Sequence, residues 1–208
     1  MKSVHKRPKL RSRKLYIKKE DLVAIKEFKL PENYEFCGNL EKKAGESALN
    51  VVVAGQQGNG PDGRPLCHFN SYSKYIWHTH PRVVPAHPSA EDIIMVCIPN
   101  PIVSSVIITP WGVWEIHSRN KHNIPETHRV NMKNALTWAG YDEHRKTPIK
   151  KMVDGTENGY TSSVHGAQLT LIQNYINDVE RQLNFFKLKI AFTPWSKISG
   201  GYTLKFST

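Results

Sequence analysis

The stretch WHTHPRVVPAHPSAED, Trp77 to Asp92, sets two histidines two residues apart, then a proline-rich loop, then a Ser and an Asp three residues apart. Its two halves ask for different structures. SYSKYIWHTH (71–80) alternates and is β-rich, so it is predicted as a strand. Side chains at i and i+2 share a strand face, so His78 and His80 project together, with Ile76 behind them. Pro81 then stops the strand. Ser89 followed three residues later by Asp92 is what a helix N-terminus wants: the hydroxyl accepts from a backbone N–H, and the acid favours the positive end of the helix dipole. SAEDIIMVCI (89–98) is accordingly read as a helix start running into apolar residues. A strand end, a stiff loop and a capped helix explain the stretch with nothing bound. The same layout lets Asp92 turn its carboxylate back toward the histidines. Two imidazoles and a carboxylate leave a fourth tetrahedral position on zinc for water.

Around this stretch the chain alternates between strand and helix patterns. KKEDLVAIKEF (18–28) is helical or mixed. YEFCGNL (34–40) and SALNVVVAG (47–55) read as strands joined by the polar turn EKKAGE. QQGNGPDGRP (56–65) is a loop by its Gly and Pro content. IVSSVIITP (102–110) and WGVWEIH (111–117) read as two strands around a tight Pro-Trp-Gly turn. ETHRVNMKNALTWAG (126–140) is predicted as an amphipathic helix ending at Gly140, and residues 141–160 as a long polar loop. A helix beginning at Ser163 carries Leu169, Ile172, Tyr175, Ile176, Val179 and Leu183 at intervals of three and four. FKLKIAF (186–192) and YTLKF (202–206) alternate on either side of Gly200-Gly201, which predicts a C-terminal β-hairpin over 186–208.

The 208 residues suffice for one domain with appendages, and an apolar content of 39% suffices for a core. The net charge of +11 is uneven: residues 1–19 hold nine Lys/Arg and no acid, whereas the rest hold 20 basic and 18 acidic residues. The basicity therefore belongs to an arm, read as disordered over its first part. Its Lys6, Arg7, Lys9, Arg11, Arg13 and Lys14 suit nucleic acid, another polyanion or nuclear import, and a solvated tail is the plainer alternative. No apolar run reaches the roughly 18 residues of a membrane span. No apolar core follows the N-terminal charge, as a secretory signal requires. Cys37, Cys67 and Cys97 are odd in number and widely spaced, and no Asn-x-Ser/Thr sequon occurs. A reduced intracellular compartment, cytoplasm or nucleus, without a disulfide framework fits these features.

A hydrolytic zinc site also needs a nearby base that is not itself a ligand. Glu35 is an acid inside what reads as a buried strand. An unpaired buried carboxylate is costly, so Glu35 invites a partner. Taken in order, Glu35 in EFCGNL, His78-Thr-His80-Pro, and Ser89-Ala-Glu-Asp92 resemble the JAMM motif of MPN-domain metalloproteases, which pairs a strand Glu with His-x-His-Pro and a later Ser-x-x-Asp. The resemblance covers roughly residues 20–140, with the 163–185 helix as a final packing element. It implies an α/β MPN domain over 20–185, with a mixed, curved sheet flanked by helices. It implies that His78, His80 and Asp92 bind one catalytic Zn²⁺. Glu35 would be general base and then proton donor to the leaving amine, and Ser89 would help stabilise the tetrahedral oxyanion. The implied reaction is hydrolysis of a peptide or isopeptide bond, and family members often remove ubiquitin or ubiquitin-like tags from lysines. Eight residues separate His80 from Ser89, one more than the commonest family spacing.

Other candidates are sparser. His117, His122, His128 and His144 raise a second zinc, but their spacings match no tight ligand pattern. His87 is expected to face solvent, and Trp77, Trp111, Trp114 and Trp138 to be core. A zinc deaminase would need His-x-Glu and Pro-Cys-x-x-Cys, and neither is present. The alternative function is an MPN-like scaffold in a larger nucleic-acid-containing assembly such as a virion, with the basic arm on the nucleic acid. Scaffold members usually lack one or more ligands, whereas here the motif is complete.

Overall fold

The computed structural model describes residues 14–28, 35–56, 69, 72–80, 87–132 and 166–206. Its strands are β1 (Tyr16–Ile17), β2 (Phe36–Lys42), β3 (Ala48–Gln56), β4 (Tyr75–Thr79), β5 (Ser104–Thr109), β6 (Gly112–His117), β7 (Lys189–Pro194) and β8 (Tyr202–Thr203). Its helices are α1 (Lys19–Phe28), α2 (Ala90–Cys97), α3 (helical over 126–132) and α4 (Gly166–Gln182). The strands form one mixed sheet in the order β7-β6-β5-β4-β2-β3-β1-β8. Pairing is parallel between β4 and β5 and between β1 and β3, and antiparallel at the remaining steps.

Period-two alternation sorts the core into two layers. Ile76, Ile107, Trp114 and Ile116 face α2 and α4, packing with Ile93, Val96, Ile172 and Val179. Trp77, Val106, Ile108 and Val113 face the other way, with Leu22 and Ile25 of α1 and with Leu49 and Leu204. His78 follows Ile76 by two residues, so it emerges on the α2 side, where Asp92 lies. Burying a side chain such as Ile76 or Ile107 contributes roughly 1.5–3 kcal/mol, so the ligand strand is anchored on both faces.

The approach of β2 to β4 depends on a glycine. Gly38 pairs with Trp77 next to a register shift at Cys37/Gly38. The Trp77 indole N–H reaches past it to donate to the Val52 carbonyl at 3.3 Å. A Cβ on Gly38 would meet Val52 O at 1.9 Å and Trp77 Nε1 at 2.8 Å. Gly38→Ala should therefore lose at least about 2 kcal/mol in urea unfolding, through overpacking and a broken indole hydrogen bond. A loss under about 0.5 kcal/mol, the range of a neutral surface change, would show that the strands part without strain.

Four expectations need correcting. The 186–208 hairpin does not form, because β7 pairs with β6 while β8 pairs with β1, at opposite ends of the strand order. The 3-10 turn Trp195–Lys197 and Gly201, at φ 112°, carry the chain between them. The arm does not extend to residue 19: Leu15 and Ile17 are buried, β1 is built into the sheet, and α1 starts at Lys19. The alternating apolar residues outweigh the surrounding charge. Glu35 is not inside a strand but immediately precedes β2 and is partly exposed. Cys37 is disulfide-bonded, whereas Cys97 is free and buried, because pairing follows approach in space rather than spacing in sequence. The partner of Cys37, the loop expected at 141–160 and arm residues Lys6, Arg7, Lys9, Arg11 and Arg13 lie outside the described residues. Among the described residues, no helix is long and apolar enough to cross a membrane.

Candidate metal centre

His78 and His80 leave the end of β4 on one face, both buried, with their Nε2 atoms 3.2 Å apart. The His80 N–H donates to the Ile108 carbonyl at 2.9 Å, so β5 holds the strand end down to the second histidine. Asp92 arrives from α2. Ser89 caps this helix: its Oγ accepts from the Asp92 N–H at 3.2 Å, while Asp92 Oδ2 accepts from the Ser89 N–H and O–H at 2.7 Å each. The capping box thus fixes the carboxylate as well as the helix. Asp92 Oδ1 lies 3.1 Å from His78 Nε2, and Oδ2 lies 3.3 Å from His80 Nε2. Each of the three residues offers a ligand atom within 4.8 Å of the others, so the buried group could hold a metal ion. Asp92 lies beside both histidines. Pro88, just before the cap, is tied to α4, where the Tyr175 hydroxyl donates to the Pro88 carbonyl at 3.2 Å.

The electrostatics suit a cation. Burial by itself raises the Asp92 pKa, but the charges and hydrogen bonds of His78 and His80 outweigh it and hold the carboxyl well below the usual carboxylate range. Among the described residues, the buried His78 Nδ1 has no hydrogen-bond partner. His87, expected in solvent, is instead partly buried, with its ring edge-on to Tyr175 at 5.3 Å. Burial first, then the neighbouring His80, pushes its pKa down to about 4 against the pull of Asp92, so its imidazole is neutral at pH 7.

No protein-family model, curated protein or solved structure matches this chain.

Glu35 immediately precedes β2, whose pairing with β4 ends at Cys37–His78; the same register continued by two residues would set Glu35 across from His80. Directly opposed residues share a face, as do residues two apart. The Phe36 N–H donates to Thr79 Oγ1 at 2.8 Å, which shows the two strands still adjacent at this level. Thr79 carried no signal of its own, because a threonine in a β-rich run reads as an ordinary strand residue. Ser89 does sit beside Asp92, but its hydroxyl proton is committed to that carboxylate.

Among the described residues, His117, His122 and His128 do not form a group that could hold a metal ion. His117 lies against Phe206, and His122 stacks on Phe185 with ring centroids 4.2 Å apart. His144 is outside the described residues. Among those residues, His78, His80 and Asp92 are the one group of three that could hold a metal. A cavity of about 440 Å³ lined by His122, His128, Leu183 and Phe185 lies at the far end of α2, where the His122 N–H donates to the Cys97 carbonyl. It is remote from the metal group. Trp77 and Trp114 are core, as expected.

Proposed function

We propose that the chain is a zinc-dependent peptidase or isopeptidase of the JAMM type on an MPN-like domain, with His78, His80 and Asp92 as ligands and Glu35 as general base. One observation carries this reading. Two imidazole nitrogens and one carboxylate, from two elements, meet in a buried site, with the Nε2 atoms 3.2 Å apart, His78 Nε2 3.1 Å from Asp92 Oδ1 and His80 Nε2 3.3 Å from Asp92 Oδ2. Tetrahedral bonds of about 2.0–2.1 Å set ligand–ligand edges of about 3.3 Å. Two imidazoles with one carboxylate suit zinc better than magnesium or calcium, which prefer all-oxygen sets. The mixed α/β sheet agrees with the fold the motif implies, without itself identifying the family.

Zinc bound there supplies a Lewis acid that polarises a carbonyl and acidifies water. The protein's own part is proton handling and orientation. Glu35, which immediately precedes β2 and is partly exposed, takes the proton from the attacking water and passes it to the leaving amine. The Ser89 backbone N–H, which does not depend on the hydroxyl, donates to Asp92 Oδ2 and orients the carboxylate. Donation to an oxyanion would require the Ser89 hydroxyl to leave Oδ2. A lysine isopeptide bond in a ubiquitin-like conjugate is the substrate class proposed.

The test is Glu35→Gln, which removes the base and leaves the ligands. It should keep about one zinc per chain by elemental analysis and lose roughly 10²–10⁴-fold in hydrolysis of a lysine-linked ubiquitin conjugate. Equal hydrolysis by the two proteins would sink the assignment. The competing reading, a scaffold in a nucleic-acid-containing assembly, is favoured by the concentration of nine Lys/Arg in residues 1–19. Under it, Glu35→Gln changes nothing, and deleting the arm abolishes salt-sensitive binding to nucleic acid.

A further inference from the structure

We propose that Thr79, the residue between the two histidines, is a positioning residue for Glu35, coupling the base to the ligand strand. This inference rests on the metal-site reading above.

Thr79 is fully buried and belongs to the sheet face opposite His78 and His80, so it does not ligate. What it does is accept the Phe36 N–H at 2.8 Å through its side-chain oxygen. The main-chain pairing of β2 with β4 runs only as far as Cys37–His78. At the next step the link is made by a hydroxyl instead of a ladder carbonyl. That bond orients the peptide joining Glu35 to Phe36, and hence the direction in which Glu35 leaves the strand. Phe36 itself is buried in the core layer that contains Trp77 and pairs with Gln56 of β3, so Thr79 is what holds the peptide on its β4 side. Meanwhile the His80 N–H is pinned to Ile108. Thr79 therefore links the peptide that bears Glu35 to the strand that bears the two histidines. A valine in its place keeps the shape and removes the acceptor that Thr79 offers, which loosens the β4 side of the peptide bearing Glu35 while Phe36 stays paired with Gln56 of β3.

The purely structural role, a threonine satisfying one strand-end N–H, predicts lower stability and nothing more. Cobalt separates the two, because its visible absorption reports the surroundings of the open coordination position without needing a substrate. The full chain and its Glu35→Gln, Thr79→Val, Thr79→Ala and Thr79→Ser variants are loaded with Co²⁺ alone. Thr79→Val and Thr79→Ala should each retain about one cobalt per chain while their bands shift to the positions seen for Glu35→Gln. Thr79→Ser, which restores the acceptor, should return the wild-type spectrum. Wild-type bands in the folded Val or Ala variants, beside a shifted Glu35→Gln spectrum, would overturn the role of Thr79 alone. So would failure of both to fold, which would make Thr79 simply structural. Failure of the wild-type chain to take up cobalt would overturn the metal-site reading, and this inference with it.

Discussion

Asp92→Ala is expected to reduce zinc from about one per chain to background, a loss beyond the roughly 10–100-fold in affinity that follows removal of an outer hydrogen-bond partner of a ligand. The variant keeps both imidazoles but lacks the only carboxylate in the group. Two imidazole nitrogens 3.2 Å apart then face each other with no carboxylate to balance a dication. Stability should respond as well. An ion that binds only the folded state adds about 2.7 kcal/mol at a hundredfold excess over its dissociation constant. For a domain of this size that raises the melting temperature by about 5–10 °C. Wild type should show this rise on adding zinc, and Asp92→Ala should show none. Asp92 also closes the capping box of α2, so part of its loss is independent of metal. Ser89→Ala isolates that part: it should cost about 1 kcal/mol through the cap and still bind zinc. If Asp92→Ala holds zinc as wild type does, the ligand set is wrong. If Ser89→Ala also loses zinc, the 2.7 Å hydroxyl contact to Oδ2 is what keeps Asp92 in its ligating pose.

The strands and the metal group were legible because both are written in short-range periods. Alternation along 71–80 placed His78 and His80 on one face, and the Ser-x-x-Asp spacing placed Asp92 in the first turn of α2; the structure joins them. Partners distant in sequence were less legible. Alternation in FKLKIAF and YTLKF says which face each strand buries, not which neighbour it takes, so the two were read as a hairpin when they occupy opposite ends of the sheet. Leu15 and Ile17 show the same alternation within a basic run, and charge density hid it. The rule that singled out Glu35, an acid within an apolar strand needing a partner, describes Glu115 better. Glu115 is fully buried in β6, while Glu35 stands partly exposed at a strand end. The partners of Glu115 include the chain's last strand and the residues beyond it, and no local pattern could announce them.

Those partners make Glu115 the second position where one substitution should have a large effect. Its Oε2 accepts from the Lys205 N–H at 2.7 Å and the Tyr202 hydroxyl at 3.1 Å, and its Oε1 accepts from the Phe206 N–H at 3.2 Å. These bonds tie the chain following β8, at one end of the sheet order, to β6 near the other, and so hold the sheet curled. Removing one member of such a buried network leaves the other members desolvated and unpaired, at about 3–5 kcal/mol. Glu115→Ala should lose that much in urea unfolding. Glu115→Gln should recover little of it, because the amide puts an NH2 donor in place of one of the two oxygens, each of which accepts a backbone N–H. Burial is the largest influence on the carboxyl and raises its pKa above the ordinary 4.5, against the hydrogen bonds from Lys205, Phe206 and Tyr202, which lower it. The fold therefore holds this proton more tightly than the unfolded chain does. The corresponding stability is fully present below the unfolded pKa and is lost as pH rises through the folded one. The gap between wild type and Glu115→Ala should thus be widest at acid pH and narrow as pH rises through that window, while remaining positive at pH 7 because the acceptors are still needed. Hydrogen exchange offers a second reading: the Lys205 and Phe206 amides should be protected in wild type and exchange at near-unfolded rates in both variants. Retained protection, together with a stability loss under about 0.5 kcal/mol, would mean that packing of Tyr202 and Leu204 in the core is enough to hold this end of the sheet without the carboxylate.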